Sequence, residues 1–223
     1  MTGEHFLVDQ IALSLEVSLA ATLISVLAGT PVALILARKQ FPGRSLMEGL
    51  AILPLTLPPT VLGYYLLVAM GDASPFGRIW RSLTGSPLVF TFWGIVIAAA
   101  VTSSPLYIMN AMVAFASVDR ELEDAARVVG ASEWTVFRRV TVPAAARGMI
   151  AGTVLSYARA LGDFGATLMV GGSIPGRTRT LPLAVYDAWQ QGQDRIALGL
   201  SLLLSAIALT VAVAAAYLAH QRR

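Results

Sequence analysis

Five stretches of the chain are apolar enough and long enough to cross a lipid bilayer as helices. They cover approximately residues 11–37, 50–70, 90–116, 144–170 and 196–220. A helix that crosses a bilayer needs about 20 mostly apolar residues, and each stretch reaches that length. The pattern therefore predicts an all-α integral membrane protein whose five transmembrane helices form a single domain over residues 1–223.

The composition agrees with this pattern. Hydrophobic residues make up 56% of the chain and charged residues only 13%, against roughly 25% charged residues in a soluble domain. This shortfall excludes an ordinary soluble enzyme, and the apolar content excludes a disordered chain. Cysteine is absent, which excludes disulfides, thiolate chemistry and Cys-ligated zinc.

The distribution of Lys and Arg predicts the orientation of the chain. Ten of the 16 lie in the first connection, the third connection (residues 117–143, with Arg147 just beyond it) and the C-terminal tail. Five lie in the second and fourth connections, and Arg159 lies inside the fourth stretch. Because cytoplasmic connections are enriched in Lys and Arg, we expect the C-terminus in the cytoplasm and the N-terminus outside.

Prolines interrupt three of the five stretches. Pro31 lies in the first, Pro54, Pro58 and Pro59 lie in the second, and Pro105 lies in the third. Each proline removes a backbone hydrogen bond. A membrane protein tolerates such gaps where neighbouring helices or a water-filled cavity satisfy the freed groups. We therefore expect these stretches to be broken into shorter rods.

A run of hydroxyl side chains, Thr102, Ser103 and Ser104, stands beside the proline of the third stretch. Two interpretations stay open for it. The run lines a water-filled cavity, or it hydrogen-bonds neighbouring helices together, as Ser and Thr do in membrane proteins.

Two charges lie deep in the fourth stretch. Arg159 and Asp163 are one helical turn apart, so they can form an ion pair on one helix face. A charge near the bilayer midplane costs about 2.5–3.5 kcal/mol on insertion scales, which makes such residues rare. The pair is either structural or part of a pathway through the membrane. Gly162 and Gly165 flank Asp163 and permit a bend there.

Small residues recur every four positions in the same stretch. They are Gly148, Gly152, Ser156 and Ala160. Such a ladder lets another backbone approach closely. Its partner is either a neighbouring span of this chain or a second copy of it.

The third connection predicts two helices rather than a loop. Asp119 can cap a first helix, Gly130 can end it in a left-handed conformation, and Ser132 can cap a second. Pro143 is placed to start the fourth span, where its missing N–H costs little. Apolar side chains on this charged unit favour a docking element; a hairpin resting on the membrane surface is the alternative.

The same connection resembles a motif of binding-protein-dependent ABC importer permeases. Asp124-Ala125-Ala126, Gly130 and Val140-Thr141-Val142-Pro143 match the spacing of the E-A-A, x3, G, x9, I-x-L-P loop of that family. Asp124 replaces the usual Glu, Glu123 lies alongside it, and valines replace Ile and Leu. The resemblance implies that this loop docks on an ATPase subunit.

Further segments are similar to the molybdate permease subunits of that family. They are residues 37–67, the block SYARALGDFGAT and the stretch IPGRTRTLPLAVYD. The resemblance implies a homodimer in the bacterial inner membrane, two cytoplasmic ATPase subunits, a periplasmic binding protein and an anion pathway through the fourth span. It also implies molybdate, with tungstate left open and sulfate or thiosulfate as the alternative substrate.

Two other classes of function are weighed from the residues. An intramembrane enzyme lacks support, because G-x-S-x-G and H-E-x-x-H motifs are absent and no cofactor or metal site is indicated. An ATP-independent anion transporter would not need an ATPase docking loop. Arginines 78, 81, 177 and 179 of the second and fourth connections either meet acidic patches on a binding protein or are ordinary solvated charges.

Overall fold

The computed structural model describes the backbone of residues 3–220 and the side chains of residues 8–213. Over the described backbone the chain is helical, and the elements follow one another in this order: α1 (Gly3–Arg38), α2 (Arg44–Thr56), α3 (Pro59–Met70), α4 (Pro75–Thr84), α5 (Phe92–Ala116), α6 (Arg120–Val128), α7 (Glu133–Val136), a π-helical turn (Phe137–Thr141), α8 (Val142–Leu161), α9 (Gly165–Gly171), α10 (Leu181–Gln190) and α11 (Asp194–His220). The all-α prediction is confirmed.

Three of the predicted spans are continuous helices. Val8–Arg38 in α1, Phe92–Ala116 and Asp194–Val213 in α11 are each long and apolar enough to cross a membrane. The expectation that Pro31 and Pro105 break the first and third spans is wrong, because both lie within unbroken helices. Helices α1 and α5 pack closely at this level, where the Thr30 and Tyr107 hydroxyls lie 2.6 Å apart.

The second predicted span is broken into two rods, as the sequence predicts. The helix direction bends by 113° between α2 and α3. Leu57 and Pro58 between them have extended backbones, with ψ of 142° and 133°. Each of these residues precedes a proline, and a following proline disfavours the helical conformation. A single proline inside a helix, as at Pro54, does not have this effect.

The fourth predicted span is also divided. Helix α8 ends at Leu161, residues 162–164 are not helical, and α9 begins at Gly165. At its other end, α8 does not start afresh at Pro143 as predicted. It continues from α7 through the π-helical turn, in which the Val142 N–H bonds the Phe137 carbonyl. The wider turn shifts the hydrogen-bond ladder just before a residue that cannot donate to it.

The core lies where α1, α5 and α8 meet. Ala33 and Leu36 of α1 pack with Tyr107 and Phe115 of α5. The small-residue ladder of α8 faces α5, so its partner here is a neighbouring span. A Cβ on Gly148 would lie 2.5 Å from the Ala114 Cβ. Helix α11, by contrast, has large apolar side chains that are more than half exposed, as expected of a lipid-facing helix: Ile196, Leu198, Leu202, Leu209 and Val213.

Candidate functional site

The third connection folds as the two capped helices that its sequence predicts. The Asp119 carboxylate accepts a hydrogen bond from the Glu121 N–H at 2.9 Å, at the start of α6. Gly130 has φ of +87° and ends that helix. The Ser132 hydroxyl accepts a bond from the Thr135 N–H at the start of α7. The geometry of the connection therefore follows from local capping rules.

One arginine links the two helices of the connection. Arg127 donates to Asp124 at 2.7 Å and to both carboxylate oxygens of Glu133, at 2.8 and 3.2 Å. Because a guanidinium hydrogen bond stabilises the charged carboxylate, it lowers the pKa of Glu133. All three side chains are exposed, so this network fixes geometry more than it adds stability.

An apolar surface caps the outer side of the connection. Val128, Val129 and Trp134 are 87%, 84% and 68% exposed. The Trp134 ring stacks on Phe137 with centroids 5.6 Å apart. Ala125 is exposed as well. Large apolar side chains that are exposed together, within a rim of charges, are typical of a protein-interaction surface.

Glu123 points the other way, into the protein. Its residue is only 7% exposed. One carboxylate oxygen accepts from Arg38 Nη2 at 2.9 Å and from the Thr141 hydroxyl at 2.6 Å. The connection is therefore attached by an ion pair to the end of α1 and by a hydrogen bond to the π-helical turn. A cavity of about 570 Å³ lies beside this attachment, between α1 and the connection.

The Arg159–Asp163 pair lies at the break between α8 and α9. The ion pair that the sequence predicts is formed, with Arg159 Nη1 at 3.2 Å from an Asp163 oxygen. The other Asp163 oxygen accepts from the Thr167 N–H at 3.0 Å, in the first turn of α9. The Asp163 side chain is fully buried, whereas that of Arg159 is 28% exposed. Asp163 thus holds the start of α9 and orients Arg159.

The two glycines beside this pair have different surroundings. A Cβ on Gly165 would lie 2.8 Å from the Pro59 Cβ, so its absence lets α9 sit against the start of α3. A Cβ on Gly162 would meet nothing closer than the Ala158 carbonyl oxygen at 3.6 Å. Gly165 therefore serves a close helix contact, and Gly162 ends α8 without such a contact.

The hydroxyl run of α5 is mostly buried against its neighbours. The Ser103 hydroxyl lies 3.4 Å from that of Ser25 on α1, and Ser104 bonds the Val101 carbonyl within its own helix. Thr102 is buried near Asp163, and its hydroxyl donates to the Ala99 carbonyl at 3.0 Å. These contacts favour helix packing as the role of Ser103 and connect Thr102 with the charged pair.

Two arginines of the second and fourth connections have carboxylate partners. Arg81 pairs with Asp72, and Arg179 pairs with Asp187 at 2.9 Å. The Arg179 guanidinium also donates to Ser173 at 3.1 Å, which braces the start of the fourth connection. Arg177, at the turn made by Gly176, is exposed.

The sequence does not predict the two contacts of Glu123, with Arg38 and with Thr141. In the sequence, Arg38 contributes only to the basic charge of the first connection. Its partner Glu123 is 85 positions away in the sequence, and local patterns do not identify such pairs. The π-helical turn was also missed, because no short sequence pattern separates it from an ordinary helical turn.

Comparison with known proteins identifies the family. A family model for the binding-protein-dependent transport system inner membrane component matches residues 29–223. The molybdenum transport system permease protein of Escherichia coli K12 is 41% identical over 217 residues, 95% of this chain and 94% of that protein. A putative molybdenum transport system permease protein of Bacillus subtilis is 42% identical over 187 residues, 84% of this chain and 82% of that protein. A sulfate transport system permease protein of Synechococcus elongatus is 35% identical and covers 97% of this chain and 75% of its own length.

Solved structures agree at the level of the fold. A bacterial ABC transporter that imports alginate superposes with a TM-score of 0.75 over 98% of this chain and 80% of that chain, at 14% identity. An inward-facing methionine ABC transporter gives 0.74 over 97% of this chain and 95% of that chain, at 16% identity. The predictions of a membrane transport subunit, rather than an enzyme, and of an ABC importer permease fold are confirmed. The chain belongs to the family of binding-protein-dependent transport system inner membrane components.

Proposed function

We propose that this chain is the permease subunit of an ATP-driven importer of molybdate, with tungstate as a close analogue. The observation that carries the substrate is the 41–42% identity to two molybdenum permeases over most of their length. The sulfate permease of Synechococcus elongatus is less similar, at 35%. Sulfate is therefore the second candidate.

The third connection is the proposed coupling loop. Its matching residues are Asp124, Ala125, Ala126, Gly130 and Pro143, with Glu123 beside them. In this proposal the exposed Val128, Val129 and Trp134 enter a groove on a cytoplasmic ATPase subunit. Two observations support it: the connection is held rigid by caps and by Arg127, and its apolar side chains have no cover within the described part of the chain.

The topology is a proposal of five membrane crossings with the N-terminus outside and the C-terminus in the cytoplasm of a bacterial cell. The bent α2–α3 pair forms the second crossing and the interrupted α8–α9 pair forms the fourth. The excess of Lys and Arg at one end supports this orientation. All five crossings then belong to one permease domain, residues 1–223.

Two copies of the chain form the pathway in this proposal, with a periplasmic binding protein delivering the anion. Helix α3 supports the second copy, because Val61, Tyr64, Tyr65 and Val68 are all more than a third exposed. Copies carrying two different affinity tags, expressed together, are expected to co-purify. Recovery of only one tag would contradict the homodimer.

The anion pathway is proposed to pass the break between α8 and α9. The candidate residues from the sequence are Arg159, Asp163, Gly162, Gly165, Thr102, Ser103 and Ser104. Of these, Arg159 has a partly exposed positive charge, which offsets the repulsion of an anion near the membrane interior. Asp163 and Thr102 then position it.

Labelled molybdate uptake tests the function directly. A strain lacking its own permease receives this gene with its ATPase and binding-protein partners, and excess sulfate is the competitor. We expect saturable uptake that is lost when the ATPase is disabled and is not displaced by sulfate. Displacement by sulfate would transfer the assignment to the second candidate, and uptake without the ATPase would refute the class.

The same assay separates the two roles of the charged pair. Replacing Arg159 by Leu together with Asp163 by Ala removes both charges and leaves no unpaired one. If Arg159 lines the pathway, uptake is lost while the protein still reaches the membrane. Retained uptake would show that the pair is structural only.

A further inference from the structure

We propose that Arg38 and Glu123 form a tether that transmits motion of the coupling loop to helices α1 and α8. This inference rests on the proposed function, because it assumes that the third connection docks on an ATPase. Arg38 and Glu123 are positioning residues here, since neither touches the anion or the nucleotide. The proposal gives Glu123 a different task from Asp124, its neighbour in the motif.

The geometry separates the two acids clearly. Asp124 is exposed on the outer side of α6 and pairs with Arg127 in the same connection. Glu123 is turned inward, and its side chain is only 9% exposed. Its attachments are Arg38 on α1 and Thr141 on the π-helical turn, and both meet the same oxygen, Oε1. A docking surface cannot use a carboxylate that is committed in this way.

The two attachments lead into the membrane part of the protein. Arg38 is the last residue of α1, whose residues Ala33 and Leu36 pack in the core with α5. Thr141 closes the π-helical turn, which continues without a break into α8. One carboxylate oxygen therefore joins α6 to α1 and, through the π-helical turn, to α8.

The second route ends at the charged break. The helix that begins at Glu133 continues to Leu161, a length of roughly 40 Å at 1.5 Å per residue. Arg159 lies in its last turn. A displacement at the coupling loop is thus carried by a continuous rod to the residues at the break. Arg127 also links α6 to this rod, so without the ion pair it is α1 that could stay in place while α6 moves.

An ion pair suits this task better than an apolar contact. Its hydrogen bonds are directional and charge-assisted, and both side chains are mostly buried. Removing one partner leaves a buried charge without compensation, so the contact is present as a whole or lost. As long as the ion pair is intact, the end of α1 therefore moves together with α6.

The test is the number of molybdate ions transported per ATP hydrolysed. The full complex, with ATPase and binding protein, is reconstituted in proteoliposomes. For Glu123→Gln and Arg38→Gln we expect the ratio to fall by roughly ten-fold, within the usual range of coupling between distant sites. ATP hydrolysis itself is expected to continue. Arg38→Lys is expected to keep the wild-type ratio, because the ion pair consists of a single N–O contact that a lysine can also make.

A matched control, Arg44, lies six residues after Arg38, at the start of α2. Arg44→Gln removes an arginine that bonds the Leu36 carbonyl and Gln40 and does not contact the third connection. This variant is expected to keep the wild-type ratio. Thr141→Val leaves the ion pair in place and removes only the second bond. We expect Thr141→Val to lower the transport ratio by less than the Gln substitutions do. It can be measured even where the Gln substitutions prevent assembly of the complex.

The outcomes distinguish coupling from simple stability. Gln variants that reduce only the amount of assembled complex, with an unchanged ratio, would overturn the tether. A low transport ratio in Arg38→Lys would also overturn the tether. If the wild-type complex transports sulfate rather than molybdate, the proposed substrate fails, and the same ratio measured with sulfate still tests the tether.

Discussion

Gly130 is the residue whose backbone sets the angle between the two helices of the third connection. Its φ of +87° lies in the left-handed region, and a Cβ there would meet no atom within 4 Å. Any penalty for a side chain is therefore conformational rather than steric. For an L-residue it amounts to roughly 1–2 kcal/mol, and it is larger for a β-branched side chain.

Two substitutions at Gly130 are expected to differ for this reason. Gly130→Val should impair ATP-coupled uptake strongly, because a strained C-terminus of α6 displaces the exposed Val128 and Val129. Gly130→Asn should retain most of the uptake, because Asn adopts the left-handed region more readily. Uptake and the amount of protein in the membrane are measured together. Equal uptake in the two variants would contradict the argument.

The same region shows what a sequence predicts at the scale of single residues. Asp119, Gly130 and Ser132 were predicted correctly, because a cap depends on atoms two or three residues away. The inward direction of Glu123 was not predicted. That direction depends on Arg38, and the two meet only when α1 and the third connection are packed together.

At the scale of the helices, the sequence predicts the effect of some prolines and not of others. The Pro58–Pro59 pair divides its span, because two successive residues are each pushed towards extended conformations. Pro31 and Pro105 do not, since a lone proline removes a bond but leaves most of the helix intact. The number of prolines in a row, rather than their presence, is the useful signal in this chain.

The contact of α9 with α3 is the element-scale feature that a paired substitution can test. Gly165→Ala would place a Cβ 2.8 Å from the Pro59 Cβ and 3.2 Å from the Thr60 nitrogen. Backbone atoms cannot move aside cheaply, so we expect a cost of about 1–3 kcal/mol, typical of overpacking. Gly162→Ala is the matched control, because its Cβ has room and Gly162 has a φ of −90°.

Thermal unfolding of the purified protein in detergent measures this difference. The unfolding temperature is expected to fall for Gly165→Ala and to stay near the wild-type value for Gly162→Ala. A fall of the same size in both would mean that general flexibility of the break, rather than the contact with Pro59, requires glycine.

At the scale of the whole molecule, the contacts agree with the alternation of ends that five crossings require. The Arg38–Glu123 pair brings the end of α1 and the third connection to one end of the bundle. The Leu181 N–H bonds the Ser14 hydroxyl at 2.7 Å, so the fourth connection lies near the other end of α1. These contacts do not depend on which end faces the cytoplasm. That orientation follows from the distribution of Lys and Arg between the two ends.

The absence of cysteine allows the orientation to be measured cleanly. A single cysteine replaces Ser132 in the third connection or Arg177 in the fourth, both exposed. Intact spheroplasts are treated with a maleimide that cannot cross the membrane. We expect Arg177→Cys to be labelled at once and Ser132→Cys only after the membrane is opened, because the fourth connection is proposed to face outward and the third to face the cytoplasm. Each variant must still support uptake, which ensures that the labelled form is the inserted one. The reverse pattern would place the excess of Lys and Arg outside and would refute both the topology and the docking of the third connection on a cytoplasmic ATPase.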